Sequence, residues 1–246
     1  MTQLLVHGAT GRLGRVIVEL ASAQPDLTVT ASNRQDPTEK LVAAADVVVD
    51  VSAPAATVTL SEVCAQLNKP LVIGTTGHNH DQLGALRRAS RYCALLLAPN
   101  FSVGVNLLYW LAETTAKALG ENFDVEIIEL HHRLKKDAPS GTAKKLAEVI
   151  AAVHQLNYEQ SARHGRAGFV GERTGEEIGI HAVRGGDIIG EHTVLFAGLG
   201  ERIELSHRAS SRETFARGAL RAARWLIGRS PGLYDMRDVL GLHENP

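Results

Sequence analysis

Cysteine is scarce in this chain: Cys64 and Cys93 are the two among 246 residues, at no spacing used by a metal or dithiol motif. That excludes a disulfide scaffold and leaves both as small core residues, expected to stay reduced. A strong charge of either sign is also missing. The net charge is -1, so no general field draws nucleic acid or an anionic membrane. No apolar run approaches the roughly 20 residues that cross a bilayer. A charged start, apolar stretch and cleavage site are lacking too, and the first residues begin a strand at once, so no signal peptide is expected. Repeats, low-complexity segments and Gly/Ser linkers are absent. The expectation is a cytoplasmic globular protein without nucleic-acid or membrane partners, long enough for one large or two small cores.

What is there is alternation. Residues 3–7 form a short apolar strand, followed by Gly8-Ala9-Thr10-Gly11-Arg12-Leu13-Gly14 and a helix with Leu13, Val16, Ile17 and Leu20 on one face. Strand, glycine loop and helix are the context a dinucleotide fingerprint needs. Gly8 permits the tight turn, Gly11 lets backbone approach a pyrophosphate, and Gly14 lets helix and strand pack closely. Thr10 stands where a glycine is often found. A second strand, 27–32, ends in Asn33 and Arg34, where an acid would grip the ribose hydroxyls of NAD and an arginine accommodates the 2′-phosphate of NADP. The alternative is that Arg34 is a surface charge. Residues 35–45 are short and reduce a strand-and-helix unit to a connector. Strands follow at 46–51, 70–73 and 94–97, with a helix over 55–67. Their carboxyl ends carry Ser52-Ala53-Pro54, Gly74-Thr75-Thr76-Gly77 and Ala98-Pro99-Asn100-Phe101-Ser102 on the edge where an open parallel sheet binds ligands.

A second pattern begins with a helix over 105–119. The strand 123–132 leads into Glu129-Leu130-His131-His132-Arg133-Leu134-Lys135-Lys136-Asp137-Ala138-Pro139-Ser140-Gly141-Thr142, and a helix over 142–153 leads out. Strand neighbours face opposite ways, so His131 and His132 serve one point only if the strand ends there. Ser140, Gly141 and Thr142 at a helix start offer backbone N–H groups to a carboxylate or phosphate. Proton-transfer side chains beside an anion cradle suggest a site for a small acid. A solvated loop and a plain helix cap are the bland alternative. Residues 156–174 are expected to be a long surface loop. Strands at 178–183, 188–196 and 202–208 join by hairpin-like connections into a mixed or antiparallel sheet of about four strands, covered on one face by helices. His181, His192 and His207 lie on these strands without zinc spacing, so no metal is expected.

The string from Glu129 to Thr142 resembles the signature of the dihydrodipicolinate reductase family. Gly74-Thr75-Thr76-Gly77 and the run from Ala98 to Asn106 resemble that family's loops around the nicotinamide. The resemblance covers nearly all of the chain, 35–45 being the main departure. It implies an α/β fold: a Rossmann-like parallel-sheet nucleotide domain (1–102 and 213–246) plus a smaller α+β domain for substrate and oligomerisation (103–212). It also implies NAD(P)H-dependent reduction of 4-hydroxy-tetrahydrodipicolinate, by way of dihydrodipicolinate, to tetrahydrodipicolinate in lysine and diaminopimelate biosynthesis. His131 and Lys135 are then the catalytic pair, with the final proton donor left open between them. His132, Ser140, Gly141 and Thr142 bind the small dicarboxylate, with Arg212 as a further candidate. Gly8, Ala9, Thr10, Gly11, Arg12, Leu13, Arg34, Gly74, Thr75, Thr76, Ala98, Pro99, Asn100 and Phe101 line the cofactor. Relatives often carry an acid before the arginine and use either cofactor; here Asn33 takes that place, so NADPH is expected over NADH. The family's sheet face further implies a homotetramer. Two rivals remain: another small-acid dehydrogenase of the same plan, which needs an acylatable cysteine, and a non-catalytic dinucleotide sensor.

Overall fold

A computed structural model describes all residues except 34, 35, 37 and 243–246. In chain order it runs β1 (Thr2–His7), α1 (Arg12–Ser22), β2 (Leu27–Ser32), α2 (Thr38–Ala44), β3 (Val47–Asp50), α3 (Pro54–Gln66), β4 (Leu71–Ile73), α4 (His80–Ala89) and β5 (Ala94–Leu97). Then follow α5 (Val103–Leu119), β6 (Asp124–His131), α6 (Gly141–Val153), α7 (Tyr158–Ser161), β7 (Ala162–His164), β8 (Ile178–Arg184), β9 (Gly190–Ala197) and β10 (Arg202–Ala209). The chain closes with α8 (Glu213–Leu226), β11 (Gly232–Tyr234) and α9 (Met236–Leu240). Two compact units result, 1–103 with 213–246, and 104–212.

The first unit is a parallel sheet in the order β11-β5-β4-β3-β1-β2. Val47, Val48 and Val49 are all buried because helices cover both faces. Val47 and Val49 share one core with Leu4, Val6 and Ile17 of α1 and with Ala219 and Leu220 of α8. Val48 points the other way, into a core with Leu5, Leu60 and Cys64 of α3 and Leu86 of α4. The order reverses at β1, between β2 and β3, and Gly8 follows directly there. An open α/β sheet leaves its crevice at such a switch point. Residues 35–45 hold more than a connector, since α2 forms over its seven residues. Helix α4 was not expected; Asn79 and Gln82 cap it reciprocally, a start signal present in the sequence.

The second unit is a mixed sheet of five strands, ordered β10-β9-β6-β8-β7. Strand β6 is central, antiparallel to β9 and parallel to β8. The expected hairpin between β8 and β9 is therefore absent, because β6 lies between them; β9 and β10 do form one. On β6 burial alternates, with Val125 and Ile127 facing Leu108, Ala112 and Ala116 of α5 and Leu146 and Ile150 of α6. The supposed loop at 156–174 contains α7 and β7, which adds the fifth strand. Its remainder is tied down, for Arg166 forks onto Glu126 at 3.1 and 3.0 Å and Arg173 reaches Glu126 at 3.1 Å and Asp124 at 2.6 Å.

Candidate functional site

At the end of β1, Gly8 takes φ +84, and a Cβ there would lie 2.8 Å from the Val51 carbonyl oxygen. A Cβ on Gly14 would lie 2.2 Å from the Gly8 oxygen, so α1 starts pressed against the turn. Gly11 is the N-cap of α1 and supplies no side-chain acceptor to the first turn. Thr10 departs from glycine to a purpose: its N–H and hydroxyl donate to Asn33 Oδ1 at 3.3 and 3.1 Å, joining the loop to the end of β2. A helix start without a side-chain cap, approached by glycine backbone, fits a pyrophosphate. Arg12 is exposed, Leu13 half-buried and Ala9 buried, so Ala9 can meet a ligand by backbone alone. Arg34 lies outside the described residues.

The loops after β3 and β4 converge on Asp50, which is fully buried. Its Oδ1 accepts from the Ser52 hydroxyl at 2.5 Å and the Ser52 N–H at 3.3 Å. Its Oδ2 accepts from Thr57 of α3 at 2.5 Å and from Thr75 at 2.9 Å. One carboxylate thus holds the loop after β3, the helix after it and the loop after β4. Thr76 remains exposed beside them. Phe101, expected at the cofactor, is 2% exposed, and its ring fills the space over Gly74, where a Cβ would lie 2.4 Å from Cε2. Its side chain is packing beneath the loop rather than a ligand contact. Ala98 is likewise buried, Pro99 is exposed, and Asn100 Oδ1 accepts from Ser102 N–H at 2.8 Å.

In the second unit, the alternation that turns Val125 and Ile127 inward also turns Glu129 and His131 inward. Strand β6 ends at His131, freeing His132 from the strict alternation. Glu129 is fully buried, a position that costs an unpaired carboxylate dearly. It is paired instead. Arg184 of β8 forks onto both oxygens at 2.8 and 2.7 Å, His131 Nδ1 lies 2.6 Å from Oε2, and Ser140 N–H donates to Oε1 at 2.9 Å. Burial pushes the Glu129 carboxyl up, but Arg184, His131 and Ser140 together hold it below the usual carboxylate range. Burial depresses His131 below its ordinary value; Glu129 opposes that, while Lys135 and Arg184 add to it.

Lys135 Nζ sits on Asp137, 2.9 and 2.8 Å from its two oxygens. Ser140 needs correction as a direct ligand for the acid. It is 2% exposed, its N–H belongs to Glu129, and its hydroxyl caps Ala143 N–H at 3.1 Å and meets His192 Nε2 at 3.0 Å. The part of the cradle that faces out is Gly141, where an added Cβ would meet no atom within 4 Å, followed by Thr142. Thr142 also hydrogen-bonds the buried Tyr109 of α5. His132 Nδ1 is buried without a hydrogen-bond partner. His192 packs edge-on against His131, ring centres 5.2 Å apart, and burial, then the neighbouring His131, push its pKa down to about 3. Arg212 is exposed, at the end of the unit. Among the described residues no group of three His, Cys, Asp or Glu side chains gathers as a metal site. Sequence reasoning missed Glu129, Arg184, His192 and Asp50. An acid two residues before a histidine on an alternating strand was a signal for the first; the others depend on strand pairing.

Comparisons with known proteins agree with this geometry. Residues 2–101 match the family model described as dihydrodipicolinate reductase, N-terminus, and residues 104–240 the one described as its C-terminus. A 4-hydroxy-tetrahydrodipicolinate reductase of Akkermansia muciniphila is 49% identical over 245 residues, covering 99% of this chain and 100% of that protein. One from Hahella chejuensis is 45% identical over 266 aligned positions, covering 98% of this chain and all of its own. That span exceeds this chain's 246 residues, so the Hahella relative carries insertions. Among solved structures, a dipicolinate-bound dihydrodipicolinate reductase from Paenisporosarcina sp. TG-14 superposes with a TM-score of 0.78 at 26% identity, covering 96% of this chain and 97% of that one. With both halves matched in order and relatives near half-identical along their whole length, the chain belongs to the dihydrodipicolinate reductase family.

Proposed function

We propose that this chain reduces 4-hydroxy-tetrahydrodipicolinate to tetrahydrodipicolinate in lysine and diaminopimelate biosynthesis. The acid loses water to give dihydrodipicolinate. That ring then takes up one hydride and one proton, and the nicotinamide is left oxidised. The reading is carried by the match of both halves of the chain to both halves of the reductase family. A nicotinamide dinucleotide, when bound, supplies the hydride. The first unit holds it with the loop from Gly8 to Leu13 against the pyrophosphate and with Gly74 to Thr76 and Ala98 to Asn100 toward the nicotinamide.

The second unit holds the acid. Gly141 and Thr142 at the start of α6, with His132 and Lys135, bind its two carboxylates. His131 and Lys135 serve the proton that follows the hydride. NADPH is the preferred reductant in this reading. No carboxylate stands at position 33 to grip the ribose hydroxyls, and the Asn33 oxygen is engaged by Thr10. Its amide N–H groups are then the ones left for an acceptor such as a phosphate. A cytoplasmic homotetramer completes the proposal. Ile128, Leu130 and Leu195 are half-buried on the sheet face turned away from α5 and α6, and Val183 beside them is 44% exposed. No helix among the described residues is long and apolar enough to cross a membrane.

The cysteine-dependent rival finds no nucleophile here. Both thiols are fully buried, and burial raises them, Cys93 to about 11. Oxidation of NADPH and NADH, started by freshly made product of a dihydrodipicolinate synthase, tests the activity. Light scattering of the purified chain tests the tetramer.

A further inference from the structure

Glu129 accepts four hydrogen bonds, two on each oxygen, and is fully buried. An ionised carboxylate only accepts, so the nitrogen of His131 that faces it carries a hydrogen. That nitrogen is Nδ1, 2.6 Å away. In the neutral ring Nε2 is then the unprotonated nitrogen. The space beside Nε2 is kept by a glycine, since a Cβ on Gly190 of β9 would lie 3.0 Å from it. The same carboxylate holds Ser140 N–H, and hence the first turn of α6. Arg184 braces the arrangement from β8, also donating to the Asp137 carbonyl at 2.8 Å in the loop between β6 and α6.

We propose that Glu129 is the positioning residue of the acid-binding unit: it fixes His131 as the Nδ1–H tautomer, which exchanges its proton through Nε2, and clamps the start of α6 through Ser140. Arg184 is the counter-ion that keeps it ionised. The inference rests on the proposed reduction for its role in turnover, but not for the tautomer. In the proton step, the imidazolium gives its Nε2 hydrogen to the reduced ring, returns to the neutral Nδ1–H form, and is recharged from solvent. Proton transfer and carboxylate binding thereby share one anchor.

The charged and titratable groups facing His131 are Glu129 on its own strand, Arg184 from β8, His192 from β9, and Lys135 with its Asp137 partner in the following loop. Their signs give a diagnostic. Removing the charge of Glu129 takes away the group that favours imidazolium, so Glu129→Gln lowers the His131 pKa further. Removing the charge of Arg184 takes away an opposing cation, so Arg184→Gln raises it. A merely structural role predicts otherwise: loosened packing admits water and raises the pKa in both variants.

The test is a long-range nitrogen–proton NMR titration of the full-length protein with labelled histidine, His131 being assigned from His131→Gln. The wild type is expected to show Nδ1–H with Nε2 unprotonated, and the two variants to move the His131 pKa in opposite directions. The same opposition should appear in the acid limb of kcat/KM, with kcat of Glu129→Gln down on the order of a hundredfold. Its affinity for pyridine-2,6-dicarboxylate should fall as well. A wild-type ring protonated on Nε2 overturns the proposal, as does an upward pKa shift in Glu129→Gln. If Glu129→Gln does not fold, the wild-type tautomer still decides: hydrogen on Nδ1 supports the proposal and hydrogen on Nε2 overturns it. A wild type that shows the tautomer yet does not oxidise NAD(P)H with the acid refutes the proposed reduction and leaves the tautomer standing.

Discussion

His131 has the chemistry its neighbours allow: a ring that burial depresses below its ordinary value, pressed from behind by a buried carboxylate that opposes the shift. Replacing it by glutamine removes the proton relay and little else, since the glutamine keeps an amide N–H that can still reach Glu129. Turnover of His131→Gln is expected to drop by roughly two orders of magnitude, the usual worth of general acid–base help, while cofactor affinity holds. Stopped-flow and equilibrium titration on the purified variant check this; near-normal turnover takes His131 out of the proton step. Arg34, outside the described residues, bears on the choice of cofactor. A guanidinium forks onto a 2′-phosphate, and a charge-assisted contact of about 1.5–3 kcal/mol gives a preference of about ten- to a hundredfold. Arg34→Ala should erase most of the NADPH advantage and spare NADH use. Steady-state kinetics at two salt concentrations measure it, because an exposed pair is screened. Equal efficiency with the two cofactors at low salt in the wild type contradicts the claim.

Elements were legible where their signal was local. The period-2 pattern of β6, the buried run of β3 and the helix after Pro139-Ser140-Gly141 were plain in the sequence, and the structure has each within a residue or two. What could not be read was pairing. Nothing local says that β6 inserts between β8 and β9, so Arg184, opposite His131 in that register, was invisible as its partner. Ser140 was misread for a related reason. The helix start was seen, but not the acid eleven residues upstream that takes its N–H. Asp50 shows the same limit, a strand-end acid whose Ser and Thr partners gather only when the parallel sheet forms. An asparagine there keeps one acceptor and gains a donor, so either Ser52 or the Thr57–Thr75 pair loses its partner. Asp50→Asn is expected to weaken NADPH binding by about tenfold through the loosened loop after β4, with kcat at saturation little changed. Fluorescence titration of the cofactor decides, and an unchanged Kd shows that these loops hold their places without it.

For the whole molecule, the buried polar cluster of the second unit sets a direction for stability against pH. His192 titrates at about 3 in the folded chain against an ordinary 6.5, so between those values the unfolded chain binds a proton that the native one refuses. Stability therefore rises with pH across that window and is lost as the solution is acidified. His131 and His207 are depressed in the same sense. Glu126, held at about 2 against 4.5, adds stability that is complete above 4.5 and lost as pH falls toward 2. Urea unfolding should be flat near neutrality and weaken steadily below about pH 6.5, His192 contributing roughly 1.4 kcal/mol per unit. His192→Gln should flatten that slope by about one proton, and an unaltered slope would mean the ring is protonated when folded. The family membership, the two units and their sites meet in one claim, that this chain reduces a cyclic imino dicarboxylate. The measurement that tests it most directly is nicotinamide absorbance after adding fresh dihydrodipicolinate synthase product to enzyme with NADPH, and separately with NADH. Rapid oxidation is expected, dependent on the product, faster with NADPH and blocked by pyridine-2,6-dicarboxylate. No oxidation with either cofactor, from folded protein that binds the dinucleotide, would contradict it.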